Sequence, residues 1–283
     1  MSPRLQIVLA TLLMSTGGTA IKLADLSASQ IACFRCAIGA LAMLALLPEA
    51  RQRWSYRTVL VAIPGAATFL LYVHANRLTT AASAIFLQGT APLYILLLGP
   101  WLLRERARPR DLLFMAILAL GGTVFFTGLQ QPLETAPDPE SGNVFGALSG
   151  LTWALFIMGL RWLQRADSTG RGGAAATVVC ANLLVFFISL PAALPVGTAG
   201  TGDWAIILYL GVFQIALAYI LLTRALRHLV ALEVSLLLIL EPVLSVVWAW
   251  AVLSEVPGTW ALIGGALILS STTLKSLLDS RGS

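Results

Sequence analysis

Ten long apolar runs, separated by short polar breaks, organise this chain. They lie at 4–23, 29–47, 57–77, 80–101, 110–128, 143–163, 173–195, 203–223, 231–252 and 258–277. Runs of about 20 apolar residues are what a helix needs to cross the hydrocarbon of a bilayer. Lipid offers no partners to backbone amides, so each run is predicted to be a helix that satisfies its own. The two-residue alternation of a lipid-facing barrel strand is absent. The longest break runs from Gln130 to Gly142 and is rich in Pro, Gly and acid, which predicts a water-exposed linker. It divides the chain into a five-helix unit at 1–129, a linker at 130–142 and a second five-helix unit at 143–283. The first run is read as a span and not as a cleaved leader, because it is long, carries Lys22 near its end and completes the count of five.

The two units repeat one another. Sliding Ala75–Thr123 onto Ala225–Thr273 without a gap gives ten identities in forty-nine positions, among them Arg77/Arg227, Ala81/Ala231, Pro92/Pro242, Glu105/Glu255 and Thr123/Thr273. Five helices is an odd number, so the second copy enters the membrane from the opposite side. The predicted fold is therefore an all-α integral membrane protein, with ten transmembrane helices as two inverted five-helix repeats. Such repeats have two near-equivalent packings, one open to each face, around a site at mid-depth.

Composition agrees. A hydrophobic fraction of 58%, a charged fraction of 11% and a mean hydropathy of +0.86 suit lipid as the solvent. The net charge of +5 is a topology signal: with the N-terminus inside, fifteen of the eighteen cations fall in inside segments, leaving Lys22, Arg35 and Arg77 towards the other face. Both termini are then cytoplasmic, and Glu134, Asp138 and Glu140 of the linker lie outside. No basic patch with interleaved aromatics argues for nucleic acid. Cys33, Cys36 and Cys180 lie in apolar helices without a redox-fold context and read as small core residues. The chain has two histidines, His74 and His228, and no HExxH, Gly-x-Ser-x-Gly or Walker A pattern, so no catalytic residue, cofactor or metal is predicted and ATP-driven pumping by this chain alone is excluded.

Each copy ends a helix with the same spacing, Pro92 to Glu105 and Pro242 to Glu255, followed by a short turn and a helix carrying ALGGTVFFTG in one copy and GALILSSTT in the other. On a chain with ten spans this pattern resembles the EamA type of the drug/metabolite transporter superfamily. The resemblance covers the whole chain and is sharpest over 72–127 and 219–276. It implies a carrier whose site lies between the halves, lined by helices 1, 3, 4, 6, 8 and 9. Within the family, the compact loops and ring-rich spans look most like bacterial exporters of amino acids, aromatic ones included. Export of drugs or other metabolites is the alternative, and a membrane-embedded enzyme or lipid-handling protein is the reading from a different class. The first copy departs from the second in having Arg104, Arg106, Arg108 and Arg110 around Glu105, which the opposite-face topology accounts for.

Candidate residues follow from cost and spacing. Glu241, near the centre of the ninth run, is expensive in lipid and should face the bundle interior or a wet cavity, where it could hold a substrate amine or a proton. Polar stripes at helical spacing turn inward: Thr11, Ser15, Gly18 and Lys22; Thr68, Tyr72 and Asn76; Gln88 and Pro92; Glu241, Ser245 and Trp248. The predicted cavity set is Thr16, Tyr72, His74, Asn76, Gln88, Tyr94, Trp153, Gln214, Tyr219, Glu241, Ser245 and Trp248, with interhelical hydrogen bonding as the plainer reading of any one stripe and a structural role as the plainer reading of His74. Pro92 and Pro242 are expected to kink their helices. Glu105 and Glu255 are read as helix-end groups that accept orphan amides of the following helix, a gate charge being the alternative. Lys22 and Arg35 are expected to snorkel outward, and Arg77 to cap a helix C-terminus. Predicted partners are a small-molecule substrate and the bilayer. The oligomeric state is left open.

Overall fold

The computed structural model describes residues 2–51, 54–102, 109–127, 132–166, 173–197, 199–225, 237–238 and 240–280. Among these every long element is a helix, and the only other pairing is an isolated bridge between Leu133 and Ala136. The first span, Pro3–Leu23, consists of α1 (Pro3–Ser15) and α2 (Gly17–Leu23), broken at Thr16, whose hydroxyl donates back to Leu13 O. Then come α3 (Ala28–Leu46), α4 (Tyr56–Leu78), α5 (Ala81–Gln88) and α6 (Ala91–Leu102). Capping boxes at Ser27/Gln30 and Ser55/Thr58 satisfy the first amides of α3 and α4. After α7 (Pro109–Thr127) follow α8 (Pro139–Ala166), α9 (Gly173–Ala193) and α10 (Thr201–Tyr209). A π-helical segment, Leu210–Leu217, joins α10 to α11 (Ala218–Ala225), and α12 (Leu240–Leu253) and α13 (Thr259–Ser280) complete the order.

Seven of these spans are long and apolar enough to cross a bilayer, and α7, α12 and α13 carry shorter apolar stretches. The chain is thus a multi-pass membrane protein by length and composition. Its outer face agrees: Leu41, Phe187, Ile188 and Trp101 are all exposed, which water would penalise and acyl chains do not.

Two expectations change. The linker is not wholly exposed: α8 begins at Pro139, and Ala136 is fully buried while Asp138 N–H donates to Leu78 O at 3.1 Å. Asp138 caps α8 through Ser141 N–H, with proline at the first helical position, so the end of the linker is helix start and not loop. Nor does Pro92 kink a continuous helix. The fourth span breaks at Gly89–Thr90, leaving Pro92 in the first turn of α6, and Pro242 lies in the first turn of α12. Proline is tolerated there because first-turn amides have no intrahelical acceptor.

The two parts of the chain do not pack as separate bodies. The α4 helix lies on α8 and α9, α3 on α9 and the π segment, α1 on α11 and α12, α5 on α8 and α12, and α7 on α13. Close approach is possible because glycine faces bulk: a methyl at Gly65 would lie 2.8 Å from Phe156, and one at Gly159 would lie 2.6 Å from Val61. Around these contacts a core of Ile31, Val73, Phe156, Ile207 and Leu210 is fully buried. All three cysteines are buried and free, as core residues should be.

Candidate functional site

A cavity of about 320 Å³ lies beside the break in the fourth span and the π segment of the eighth. Helical rise locates it. Tyr72 lies six residues before the end of α4 and Glu241 twelve before the end of α12, placing them about 9 and 18 Å along the axes from that face of the bundle. From the broken span come Phe86, Gln88 and Pro92, and from α8 comes Trp153. The π segment supplies Gln214, whose Oε1 is buried without a hydrogen-bond partner, and α11 supplies Tyr219. π segments insert one residue into a helix and recur at functional sites.

Arg35, like Lys22, departs from its expected place. It does not snorkel: it is 3% exposed, lines the cavity, donates from Nη2 to Phe69 O at 3.4 Å, and has an Nε without a partner. Counting would have found it, since it lies two turns inside α3 from its cap at Ser27. Glu241 lines the same space. Among the described residues no ion pair joins the two, yet the hydroxyls of Tyr72 and Tyr219 lie within electrostatic reach of both. One cavity therefore presents a guanidinium, a carboxylate, two phenols, two amides and the rings of Phe69, Phe86 and Trp153.

Of the expected cavity residues, Tyr72, Gln88, Trp153, Gln214, Tyr219 and Glu241 meet there, with Pro92 and Pro242. The others lie elsewhere. His74 hydrogen-bonds Leu70 O through Nδ1 at 2.9 Å and sets its ring edge against Phe145. Tyr94 points its hydroxyl at Ala147 O, and Asn76 donates to Tyr72 O at 2.9 Å. Trp248 donates from Nε1 to Ser15 Oγ at 3.1 Å, while buried Ser245 and Asn76 close around Gly18. This second stripe is interhelical packing. Thr16 shares a 2.8 Å hydrogen bond with Tyr209 and borders a separate, apolar pocket of about 400 Å³ with Leu23, Trp248 and Val252.

Glu255 is a helix-end group, but not of the following helix. Its Oε2 accepts Ala81 N–H at 2.8 Å, capping α5 from the other part of the chain, and its Oε1 accepts from Thr135 Oγ1 at 2.9 Å. Lys22 Nζ pairs with Oε1 at 3.1 Å and also donates to the carbonyls of Thr79 and Thr135, so Lys22 is buried and not snorkelling. Arg77 caps the end of α2 at Ala24 O, 3.1 Å away. Glu105, the repeat partner of Glu255, lies outside the described residues, as do Arg227 and His228.

The chain matches the EamA-like transporter family over residues 2–128 and again over residues 140–277. It belongs to that family. This EamA-like transporter is 28% identical over 276 residues to the pseudopaline exporter CntI of Pseudomonas aeruginosa strain PAO1, covering 93% of this chain and 91% of the relative. It is 26% identical over 276 residues to an uncharacterized transporter of Archaeoglobus fulgidus, covering 95% and 94% of the two chains. A crystal structure with 20% sequence identity shares the fold, with a TM-score of 0.63 over 98% of this chain and 97% of its own. The transporter is thus a multi-pass membrane carrier of small molecules in the drug/metabolite transporter superfamily, and both family and relatives point away from an enzyme.

Proposed function

We propose that this transporter exports amino acids, aromatic ones included, across a bacterial cytoplasmic membrane by alternating access. The observation that carries the substrate class is the pair of opposite charges facing one cavity without neutralising each other. A zwitterion satisfies both: its carboxylate takes the Arg35 guanidinium and its ammonium takes Glu241, in a cavity that Tyr72 and Tyr219 also line. Phe69, Phe86 and Trp153 supply faces for an apolar or aromatic side chain. The volume of about 320 Å³ is at the small end of ligand pockets, roughly 300–1,000 Å³, and favours a metabolite over a drug-sized molecule.

Two units, 1–129 and 143–283, threaded in opposite senses with both termini cytoplasmic, account for the double family match and for the packing. The pairs α3 with α9, α5 with α12 and α7 with α13 join equivalent helices, and α4 on α8 mirrors α11 on α1, as a two-fold-like arrangement requires. Export is supported by the name of the Pseudomonas relative. A specific observation favours a second reading: most of the lining is apolar, including Met14, Ile95, Ile157 and Leu238, which suits a hydrophobic drug or other metabolite.

Uptake of a radiolabelled amino-acid panel into proteoliposomes, with and without a pH gradient, separates the two. Saturable uptake of amino acids, inhibited by aromatic members of the panel, is expected. Uptake of none of them, with uptake of an uncharged hydrophobic compound, would transfer the assignment to the second reading.

A further inference from the structure

Two of the polar groupings in this bundle lie at different depths along the helices. One faces the cavity; the other lies at the end of the bundle where α2 and α4 stop and α5 and α8 begin. There Lys22 and Glu255, with side chains 3% and 1% exposed, form a 3.1 Å ion pair. A buried pair costs desolvation of two ions and returns it only if the remaining lone pairs and protons are satisfied. Here they are. Each partner reaches across segments: Glu255, in the turn between α12 and α13, holds the first amide of α5, and Lys22, at the end of α2, holds Thr79 O at the end of α4, where Arg77 adds a bond to Ala24 O. Thr135 of the linker contacts both partners, through its hydroxyl to Glu255 and its carbonyl to Lys22. One ion pair thus fastens four helix ends and the linker together.

The space between this cluster and the cavity is closed. Ala81, Ala82 and Asn76 are buried there, and Gly18 meets Asn76 so tightly that a methyl would lie 2.7 Å from its Oδ1. On its other side the cavity runs the opposite way along the helices, to Ile157 late in α8 and to Thr272 late in α13. We infer that the Lys22–Glu255 pair, bridged by Thr135, is the latch of the gate at this end of the carrier: closed in this conformation, it must part before the cavity opens past Asn76 and Ala82. The inference rests on the alternating-access reading. A latch built from charge suits the task. Once the helix ends separate, water solvates both ions, so the open state is not burdened by an orphaned buried charge. An apolar plug would instead be exposed to water on opening.

The test is accessibility of a probe placed below the latch. Ala82→Cys in a background with Cys33, Cys36 and Cys180 replaced by alanine reports opening through its reaction with a membrane-impermeant thiosulfonate, applied to intact cells and separately to inverted vesicles. From the latch side the parent should react slowly. Lys22→Gln or Glu255→Gln should raise the rate by at least about tenfold, a shift of roughly 1.4 kcal/mol in the closed-to-open equilibrium. Should neither variant reach the membrane, Thr135→Val keeps both charges and removes only the hydroxyl bridge, and is expected to raise the rate about threefold. Rates unchanged in folded variants, with only a fall in melting temperature, would reduce the pair to a static fastening and overturn the inference. Because the readout needs no substrate, a failed amino-acid assay leaves it intact. Faster labelling together with failure to carry amino acids would overturn only the proposed substrate and support the latch.

Discussion

Replacing Arg35 by glutamine separates recognition from folding. The guanidinium is 3% exposed, its Nε is unpartnered, and its contact with Phe69 O at 3.4 Å is long. Its charge therefore contributes little to the fold, and burying it costs desolvation. Arg35→Gln removes that cost and keeps a donor, so the melting temperature in detergent should hold or rise. Binding should move the other way. A charge-assisted hydrogen bond to a substrate carboxylate contributes about 1.5–3 kcal/mol. At 1.4 kcal/mol per decade the apparent KM for an amino acid should rise roughly 10- to 150-fold. The decarboxylated amine of the same amino acid lacks the group Arg35 would hold, so its weaker transport should be unaffected. Counterflow in proteoliposomes, run with both solutes on parent and variant, measures the preference ratio directly. If Arg35→Gln leaves that ratio unchanged, the guanidinium does not read a carboxylate and the zwitterion argument fails with it.

Other perturbations probe neighbouring parts of the same reasoning. Glu241→Gln should erase discrimination between an amino acid and its deaminated acid and flatten the dependence of transport on pH; profiles that overlay the parent across pH would remove Glu241 from the mechanism. Trp248→Phe deletes the bond to Ser15, so it should lower thermal stability by about 1 kcal/mol while leaving KM within twofold, as counterflow would show. Gly211→Ala would set a methyl 2.6 Å from Ile38 and 3.0 Å from the backbone carbonyl of Arg35, which cannot rotate away. It should cost about 1–3 kcal/mol of stability and raise KM, whereas Gly99→Ala, with nothing within 4 Å, should do neither in the same melting and transport assays. The Ser141 hydroxyl and amide hold the Asp138 carboxyl below the usual carboxylate range. Its cap is complete above the unfolded value, near pH 4, and is lost as pH falls through the lower folded one, so hydrogen exchange at the start of α8 should distinguish Asp138→Ala from the parent at neutral pH but not at strongly acid pH.

How much the sequence revealed depended on what each signal measures. Hydrophobic runs report immersion in lipid, and those located seven spans to within a few residues. Polar stripes report only that a face turns inward. They could not tell Gln88, which reaches the cavity, from Asn76 and Ser245, which pack around Gly18, because both environments exclude polar groups from lipid equally. Arg35 and Lys22 were misread for a related reason. Distance from a helix end sets whether snorkelling is possible, but only the neighbours decide whether the side chain turns inward. For Lys22 the neighbour is Glu255, 233 positions away in the chain. The partner of Glu255 was equally hidden: spacing points to the helix that follows, whereas the fold delivers α5 from the other repeat.

The π segment shows why the cavity forms at all. A regular α-helix through 210–217 would return every amide to the residue four back and leave a smooth wall. The wider turn instead brings Gln214 to the cavity with an unpartnered Oε1, while Gly211, in the same segment, lets α3 approach until Ile38 and the Arg35 carbonyl touch it. Across the cavity, the break at Gly89–Thr90 does the same for Gln88 and Pro92 in the fourth span. At the break the amides stay paired, Gly89 N–H with Ile85 O and Thr90 N–H with Leu87 O, so the interruption redirects side chains without orphaning these donors. The irregular backbone and the two unpaired charges thus meet at one cavity, and both suit an interior that a polar solute can enter.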